Sequence, residues 1–322
     1  MRASYLRRMR TRLPSSASPE RALPLGLVTS RSVLAFPTDL ANSVAQLAKK
    51  AIAAQVISAF NERGSGTRRR EMQALRPAER LFDASAVARR VHGDVTTMMV
   101  GGVSGLLLQM LHPAVLAGVW DHSDFRADMQ GRLSRTARFI AVTTYGSRAD
   151  AGEAIARVRR IHDRVRGVLP DGTPYAANDP SLLAWVHVTE TTSFLSGWIR
   201  YGEPRMSGAD QDRYFAEMAC IAGALGADPI PRSKSEARHL IEAMRPLLVC
   251  DPRARQVAKL VLASPPPNWI AAPVQALGMQ AAIDLLPAWA LRMHGLSNPS
   301  FGVPLVRAST LGIARTLRWA LE

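Results

Sequence analysis

The sequence predicts an all-α fold, in which a single large helical domain follows a basic N-terminal extension. Helix start and stop residues recur along the chain, period-two strand patterns are not evident, and 47% of the 322 residues are hydrophobic. A chain of this length and composition can bury a substantial core. We place the extension at residues 1–70 and the helical domain at residues 71–322.

The N-terminal extension carries most of the positive charge. Residues 1–90 contain 17 Lys and Arg against 6 Asp and Glu, which leaves 24 against 20 for the rest and assigns +11 of the net +15 to this part. Apolar side chains at helical spacing predict an amphipathic helix in residues 40–60, and residues 64–70 have the composition of an exposed linker. We expect a partly disordered leader; peripheral membrane contact through residues 40–60 stays open, and no nucleic-acid-binding signature accompanies the charge.

Neither a secretion signal nor a membrane span is expected. The N-terminal arginines are not followed directly by an apolar run. The apolar stretch from Val95 to Val119 contains several polar residues and Pro113, which favours a buried core helix over a bilayer span. We therefore expect a cytoplasmic protein.

Capping residues define the later helices of the domain. A Ser or Asp stands at each predicted start and a Gly at each predicted end. Three such helices run from Ser147 to Gly167, from Asp179 to Gly202 and from Ser207 to Gly226. The Pro-rich residues 264–269 then separate a helical C-terminal portion.

The cysteine count and the absence of known motifs exclude several classes of site. Cys220 and Cys250 are the only cysteines, too few for a zinc knuckle, an iron–sulfur cluster or a covalent CxxCH haem attachment. No HExxH, GxSxG, Walker or GxGxxG motif stands before a suitable element. Metallohydrolase, serine hydrolase, kinase and dinucleotide-binding functions are thus disfavoured.

His162 is the first candidate site residue. Together with Ile155, Val158 and Val165 it forms one stripe of its helix, and the arginines at 157, 160 and 164 lie off that stripe. A neutral imidazole on an apolar stripe is suited to binding a metal. On spacing alone, however, such a histidine is more often a core residue that hydrogen-bonds a carbonyl group, and the sequence pattern does not exclude this alternative.

Arg132 and Thr136 form the second candidate. They lie one turn apart and share a helix face with Phe139, Ile140 and Thr143, so we expect both to point toward apolar surroundings. A buried guanidinium needs a partner: a haem propionate, a carboxylate or a bound oxygen species in a functional site, or Asp124 or Asp128 in a structural salt bridge.

Further histidines accompany these residues. His112 precedes Pro113, which disfavours helical geometry and indicates a helix end, where the histidine either lines a pocket or caps the helix. His187 and Glu190 lie three residues apart on one helix face, a spacing that suits metal or acid–base chemistry. No second matching set exists in the sequence, so a di-iron site is disfavoured.

Six motifs follow one another in order along the domain. These are ARRVHGD at 88–94, GGVSGLLLQMLHPAVLAGVWDHSDF at 101–125, RLSRT at 132–136, RRIHDRVRG at 159–167, PDGTPYAANDPSLLAWVH at 170–187 and DRYFAEM at 212–218. Through this ordered series, rather than through any one motif, the chain from about residue 89 to residue 296 resembles the domain shared by latex-clearing proteins and MpaB-type oxygenases.

The resemblance implies a globin-like helical pocket that binds haem b noncovalently and uses O2 as co-substrate. His162 matches the family's iron ligand, with His187 as the fallback and His112 as a further pocket residue, and Arg132 and Thr136 match its distal arginine and threonine. The implied substrate is an unsaturated, isoprenoid-like lipophile that is cleaved at a carbon–carbon double bond. The leader lacks the export signal of secreted rubber oxygenases, which favours a smaller intracellular substrate.

Arg135 departs from the pattern of latex-clearing proteins. They carry a lysine at this position, directly before the threonine, and that lysine can ligate the iron when deprotonated. A guanidinium keeps its proton and offers no lone pair. We therefore predict an open or water-bound distal site here.

Two alternatives to an enzyme stay open. The chain can be a haem- or lipid-binding protein that keeps the scaffold without turnover. It can also be a membrane-surface protein that acts through residues 40–60 and the leader.

Overall fold

The computed structural model describes residues 46, 49, 77–266, 268–269, 271–297 and 302–321. Within these residues it contains twelve α-helices, two short 3-10 helices and one two-stranded sheet, so the prediction of an all-α fold is confirmed. The predicted leader, linker and amphipathic helix of residues 40–60 lie outside the described residues, apart from Gln46 and Lys49. The helices and strands are α1 Val87–His92, α2 Val95–Gln109, α3 Pro113–His122, α4 Met129–Tyr145, α5 Arg148–His162, β1 Arg166–Val168, β2 Pro174–Ala176, α6 Pro180–Tyr201, α7 Gly208–Leu225, α8 Lys234–Met244, α9 Pro252–Leu262, α10 Ala272–Leu285, α11 Ala288–His294 and α12 Val303–Leu321.

The close pairing of α2 with α6 forms the centre of the fold. A Cβ atom on Gly101 of α2 would lie 2.9 Å from the Phe194 Cα atom, and one on Gly197 of α6 would lie 2.9 Å from the Thr97 carbonyl oxygen. The two backbones approach this closely because neither glycine carries a side chain. Helix α6 is buried along most of its length, and its Trp185 is fully buried.

A buried carboxylate ties the C-terminal helices to this centre. Asp284 of α10 is 5% exposed at its side chain and binds Arg200 of α6 at 2.6 Å and Arg307 of α12 at 2.8 Å. Arg318 of α12 likewise binds Asp94, the N-cap of α2, at 2.6 Å. Both carboxylates are satisfied, which offsets the cost of burying their charge.

The predicted helix starts are confirmed. The Ser147 side chain and Asp150 form a capping box at the start of α5, and the Asp179 side chain accepts backbone N–H groups at the start of α6. Ser207 caps α7, which ends at Gly226 with φ +98°. These signals are local, so the sequence reveals them directly.

The predicted end of α5 at Gly167 is wrong. The helix ends at His162, and the chain turns into β1, which pairs antiparallel with β2 and places Gly167 opposite Tyr175. A Cβ atom at Gly167 would lie 2.8 Å from the Tyr175 hydroxyl. The glycine therefore serves cross-strand packing and not helix termination.

The stretch from Val95 to Val119 is also not one helix. His112 has extended geometry (φ −86°, ψ 119°) before Pro113, and α2 and α3 meet there at a bend of 104°. Among the described residues no single helix is long and apolar enough to cross a membrane; α2 and α3 meet the length and composition criteria only as this bent pair.

Candidate functional site

Arg132 and Thr136 lie on α4, and His162 lies at the end of α5. The two helices pack against each other and are joined by Gly146 and Ser147. Arg132 lies 13 residues before the end of α4 and His162 lies 14 residues after the start of α5, so each is about 20 Å along its helix from the connection.

His162 lies at the last position of α5 and is half-buried. Burial lowers the pKa of its imidazole, so the ring is neutral at pH 7. Nδ1 is buried and has no hydrogen-bond partner among the described residues. A hydrogen bond from this atom to a carbonyl group is therefore not observed in the described part of the chain, and the role of His162 as a metal ligand stays a prediction.

Asn178, in the loop between β2 and α6, contacts the same ring. Its side chain partly counteracts the lowering of the His162 pKa by burial. This residue was not predicted from the sequence. Its only signal there was its position in the PYAANDP motif, because its contacts with α5 bridge 15 and 19 residues.

Arg132 is half-buried and lacks a carboxylate partner in the described part of the chain. Its Nη1 atom donates to the Ser123 hydroxyl at 2.7 Å, and burial lowers the pKa of its guanidinium, with a further lowering by Arg135. Asp128, proposed above as a structural partner, instead binds Arg135 at 3.1 Å and caps α4 through the Gly131 N–H. The remaining donors of Arg132 are thus available to an anion.

Thr136 differs from its prediction. It is exposed, and its hydroxyl donates to the Arg132 carbonyl at 3.2 Å, whereas we expected it to point into apolar surroundings. Phe139 and Ile140 are half-buried and only Thr143 on this face is fully buried. The first half of α4 is therefore less covered than the apolar pattern suggested, and the Thr136 hydroxyl is accessible.

His187 and Glu190 present two unpartnered polar groups on one face of α6. His187 is 8% exposed, its buried Nε2 has no hydrogen bond with a described residue, and burial lowers its pKa to about 4. Glu190 makes no hydrogen bond or ion pair with a described residue, and burial raises its pKa to about 7. By its accessible surface Glu190 is half-buried.

His112 occupies the N-cap position of α3 but makes no side-chain capping hydrogen bond. It is buried beside Trp185, with ring centroids 6.4 Å apart, and its Nδ1 has no partner among the described residues. Of its two interpretations, capping by the side chain is therefore not observed. In the described ranges, no three His, Cys, Asp or Glu side chains are grouped to hold a metal ion.

These features define an all-α protein whose candidate site combines a half-buried histidine with an arginine free to bind an anion. The family model for the catalytic domain described as ER-bound oxygenase mpaB/B'/Rubber oxygenase matches residues 89–319. This is 231 of 322 residues, so the chain belongs to this family of oxygenase catalytic domains and is an enzyme. Comparisons with curated proteins and with solved structures gave no match.

Proposed function

We propose that this protein is a haem-b-dependent oxygenase with His162 as the proximal iron ligand and O2 as co-substrate. The observation that carries the proposal is a half-buried His162 whose pKa is lowered by burial and whose Nδ1 atom has no hydrogen-bond partner among the described residues, on a helix that packs against the helix of Arg132. Haem needs as few as one ligand atom from the protein, so a single well-placed histidine would be enough to hold its iron.

The donor set fits haem b. His162 would hold the iron, and the free donors of Arg132 would bind an anionic group such as a propionate. Cys220 and Cys250 lie on α7 and before α9, in no CxxCH motif, so the group would be held noncovalently. Bound haem would supply the redox-active iron at which dioxygen is activated.

The other site residues have distinct roles in this proposal. Thr136 presents an accessible hydroxyl one turn from Arg132. Arg135, held by Asp128, has no lone pair for iron, and we propose an open or water-bound distal site. Glu190 can hold or release a proton near neutral pH, because its pKa is raised to about 7, and His187 next to it stays neutral.

The proposed substrate is an unsaturated, isoprenoid-like lipophile, cleaved oxidatively at a carbon–carbon double bond or oxygenated in a related way. The family membership supports this substrate class, and the apolar surroundings of the α6 face suit a lipophile.

The test is oxygen uptake by the purified, haem-loaded full chain with a panel of polyprenyl and terpenoid substrates. We expect uptake that depends on one substrate class and falls at least 100-fold in Arg132→Ala, since this removes the proposed anion-binding group. Haem binding without turnover on any substrate would favour the binding-protein alternative. A ferric spectrum with two nitrogen ligands would contradict the proposed distal site.

A further inference from the structure

Cys250 and His294 form a thiol–imidazole pair between the start of α9 and the end of α11. Cys250 lies just before α9, and His294 is the last residue of α11. The Cys250 Sγ atom lies 3.6 Å from the His294 Nδ1 atom, which is a hydrogen-bond distance for the large sulfur atom. On the other side of the ring, Nε2 lies 3.0 Å from the carbonyl oxygen of Leu107 on α2. These contacts bridge 44 and 187 residues, so only the folded chain reveals the pair.

The Leu107 carbonyl group fixes the tautomer of His294. A carbonyl oxygen only accepts hydrogen bonds, so the Nε2 atom of His294 carries a proton and donates it. Burial lowers the pKa of His294, so the ring is neutral at pH 7 and its Nδ1 atom keeps a lone pair. The Cys250 S–H group therefore donates to Nδ1. A nucleophile beside a base that a third group orients is the arrangement of nucleophilic catalysis.

A cavity of about 390 Å³ adjoins this pair. It is lined by His294 and by residues of α9 and its surroundings: Arg255, Ala258, Lys259, Leu262, Ala263 and Leu296. Arg255 and Lys259 lie one turn apart on α9, both are exposed, and neither makes an ion pair with a described residue. Two free cations beside apolar side chains suit a small anionic ligand that has an apolar part.

We propose that Cys250 is a modification site that exchanges with small anionic disulfides, which Arg255 and Lys259 bind, and that His294 is its base. The Cys250 sulfur attacks one sulfur of the disulfide, so that a new S–S bond forms and the old one breaks. The Cys250 proton passes to the His294 Nδ1 atom and then to the leaving thiolate, which leaves a mixed disulfide on Cys250 and one free thiol. Burial raises the pKa of the Cys250 thiol, so little thiolate is present at neutral pH and the exchange depends on this base. The proposal is independent of haem and of the oxygenase reaction.

The direct test is the rate of mixed-disulfide formation at each cysteine of the purified full chain, followed by peptide mass spectrometry. Oxidised glutathione is the anionic probe and cystamine the cationic one. Cys220 is the internal reference, because it is exposed on α7 and has no histidine partner in the described part of the chain, whereas Cys250 is half-buried. Exposure alone would make Cys220 react first.

We expect Cys250 to react with oxidised glutathione at least about 10-fold faster than Cys220, since a positioned base assists only Cys250. This preference should shrink with cystamine, which the two cations repel. A Cys250 that is unmodified or no faster than Cys220, or an equal preference with both probes, would overturn the proposal. This comparison needs no variant.

His294→Gln tests the base. Glutamine can still donate an N–H group to the Leu107 carbonyl, but it takes up no proton from Cys250. The Cys250 rate should fall at least about 10-fold while the Cys220 rate stays the same. An unchanged Cys250 rate in the folded variant would contradict the proposal, and if the variant unfolds, the comparison of the two cysteines in the wild type stays decisive.

Lys259→Gln and Arg255→Gln test the anion-binding residues. Each should slow the reaction of Cys250 with oxidised glutathione and leave that with cystamine unchanged or faster. Arg315→Gln is the matched control for net charge, because Arg315 is exposed on α12, lies outside the cavity lining and makes no ion pair with a described residue. Equal effects of Lys259→Gln and Arg315→Gln would contradict the proposed binding of an anionic disulfide.

Discussion

Glu190→Gln should make the protein more stable at alkaline pH. Burial raises the pKa of Glu190 from its ordinary 4.5 to about 7, and the carboxyl has no partner in the described part of the chain. Between these pH values the folded chain binds more protons than the unfolded chain, so the unfolding free energy falls as pH rises. Each unit of difference between the two pKa values corresponds to about 1.36 kcal/mol, so above pH 7 the buried carboxylate lowers the free energy of unfolding by about 3 kcal/mol.

Glutamine carries no charge, and Glu190 makes no hydrogen bond with a described residue that the substitution would break. Glu190→Gln should therefore recover most of this free energy. Urea unfolding followed by tryptophan fluorescence at pH 5 and pH 8 measures the effect. We expect the stability gain of Glu190→Gln to be larger at pH 8 than at pH 5 by about 2 kcal/mol.

Glu153→Gln is the matched control, because Glu153 is exposed on α5 and has no partner in the described ranges. Its substitution should change stability by less than about 0.5 kcal/mol at either pH. An equal pH effect in both variants, or a less stable Glu190→Gln at pH 8, would refute the reasoning.

Three further predictions concern stability. Asp284→Ala should cost about 3–5 kcal/mol in urea unfolding, because it leaves two arginines without their buried partner, and a loss below about 1 kcal/mol would contradict this. Gly101→Ala should lower the free energy of unfolding by about 1–3 kcal/mol, since its Cβ would lie 2.9 Å from the α6 backbone. Gly152→Ala is the control and should be neutral or stabilising, because nothing lies within 4 Å of its Cβ position. Equal losses of stability in the two variants would refute the packing argument. Burial lowers the folded-state pKa of His187 to about 4, so the free energy of unfolding falls as the pH drops from about 6.5 to 4. His187→Leu should reduce this loss of stability at acid pH, and an unchanged loss would contradict the prediction.

The sequence predicted those elements that local chemistry decides. The helix starts at Ser147 and Asp179 follow from a capping side chain and the next few backbone N–H groups, so their signals lie within one turn. The end of α5 could not be predicted in this way. It depends on the pairing of β1 with β2 and on the packing of Tyr175 against Gly167, contacts that only the folded chain brings together.

In the candidate site, too, local sequence patterns predicted some residues, and contacts made only in the folded chain decide others. His162 was predicted from its apolar stripe, and Arg132 from its place on the face of α4. Asn178 was missed because its hydrogen bonds to Arg159 and Asp163 span the turn and the strand pair between α5 and α6. The exposure of Thr136 was missed because helical periodicity indicates which face is apolar but not how far its neighbours cover it.

The most direct test of the account is the absorption spectrum of the full chain, expressed with ample haem, beside His162→Ala and His187→Ala. We predict a Soret band in the wild type and in His187→Ala, and a weakened and shifted band in His162→Ala. A colourless wild-type protein would contradict the proposed cofactor, and a Soret band unchanged by His162→Ala would contradict the proposed ligand.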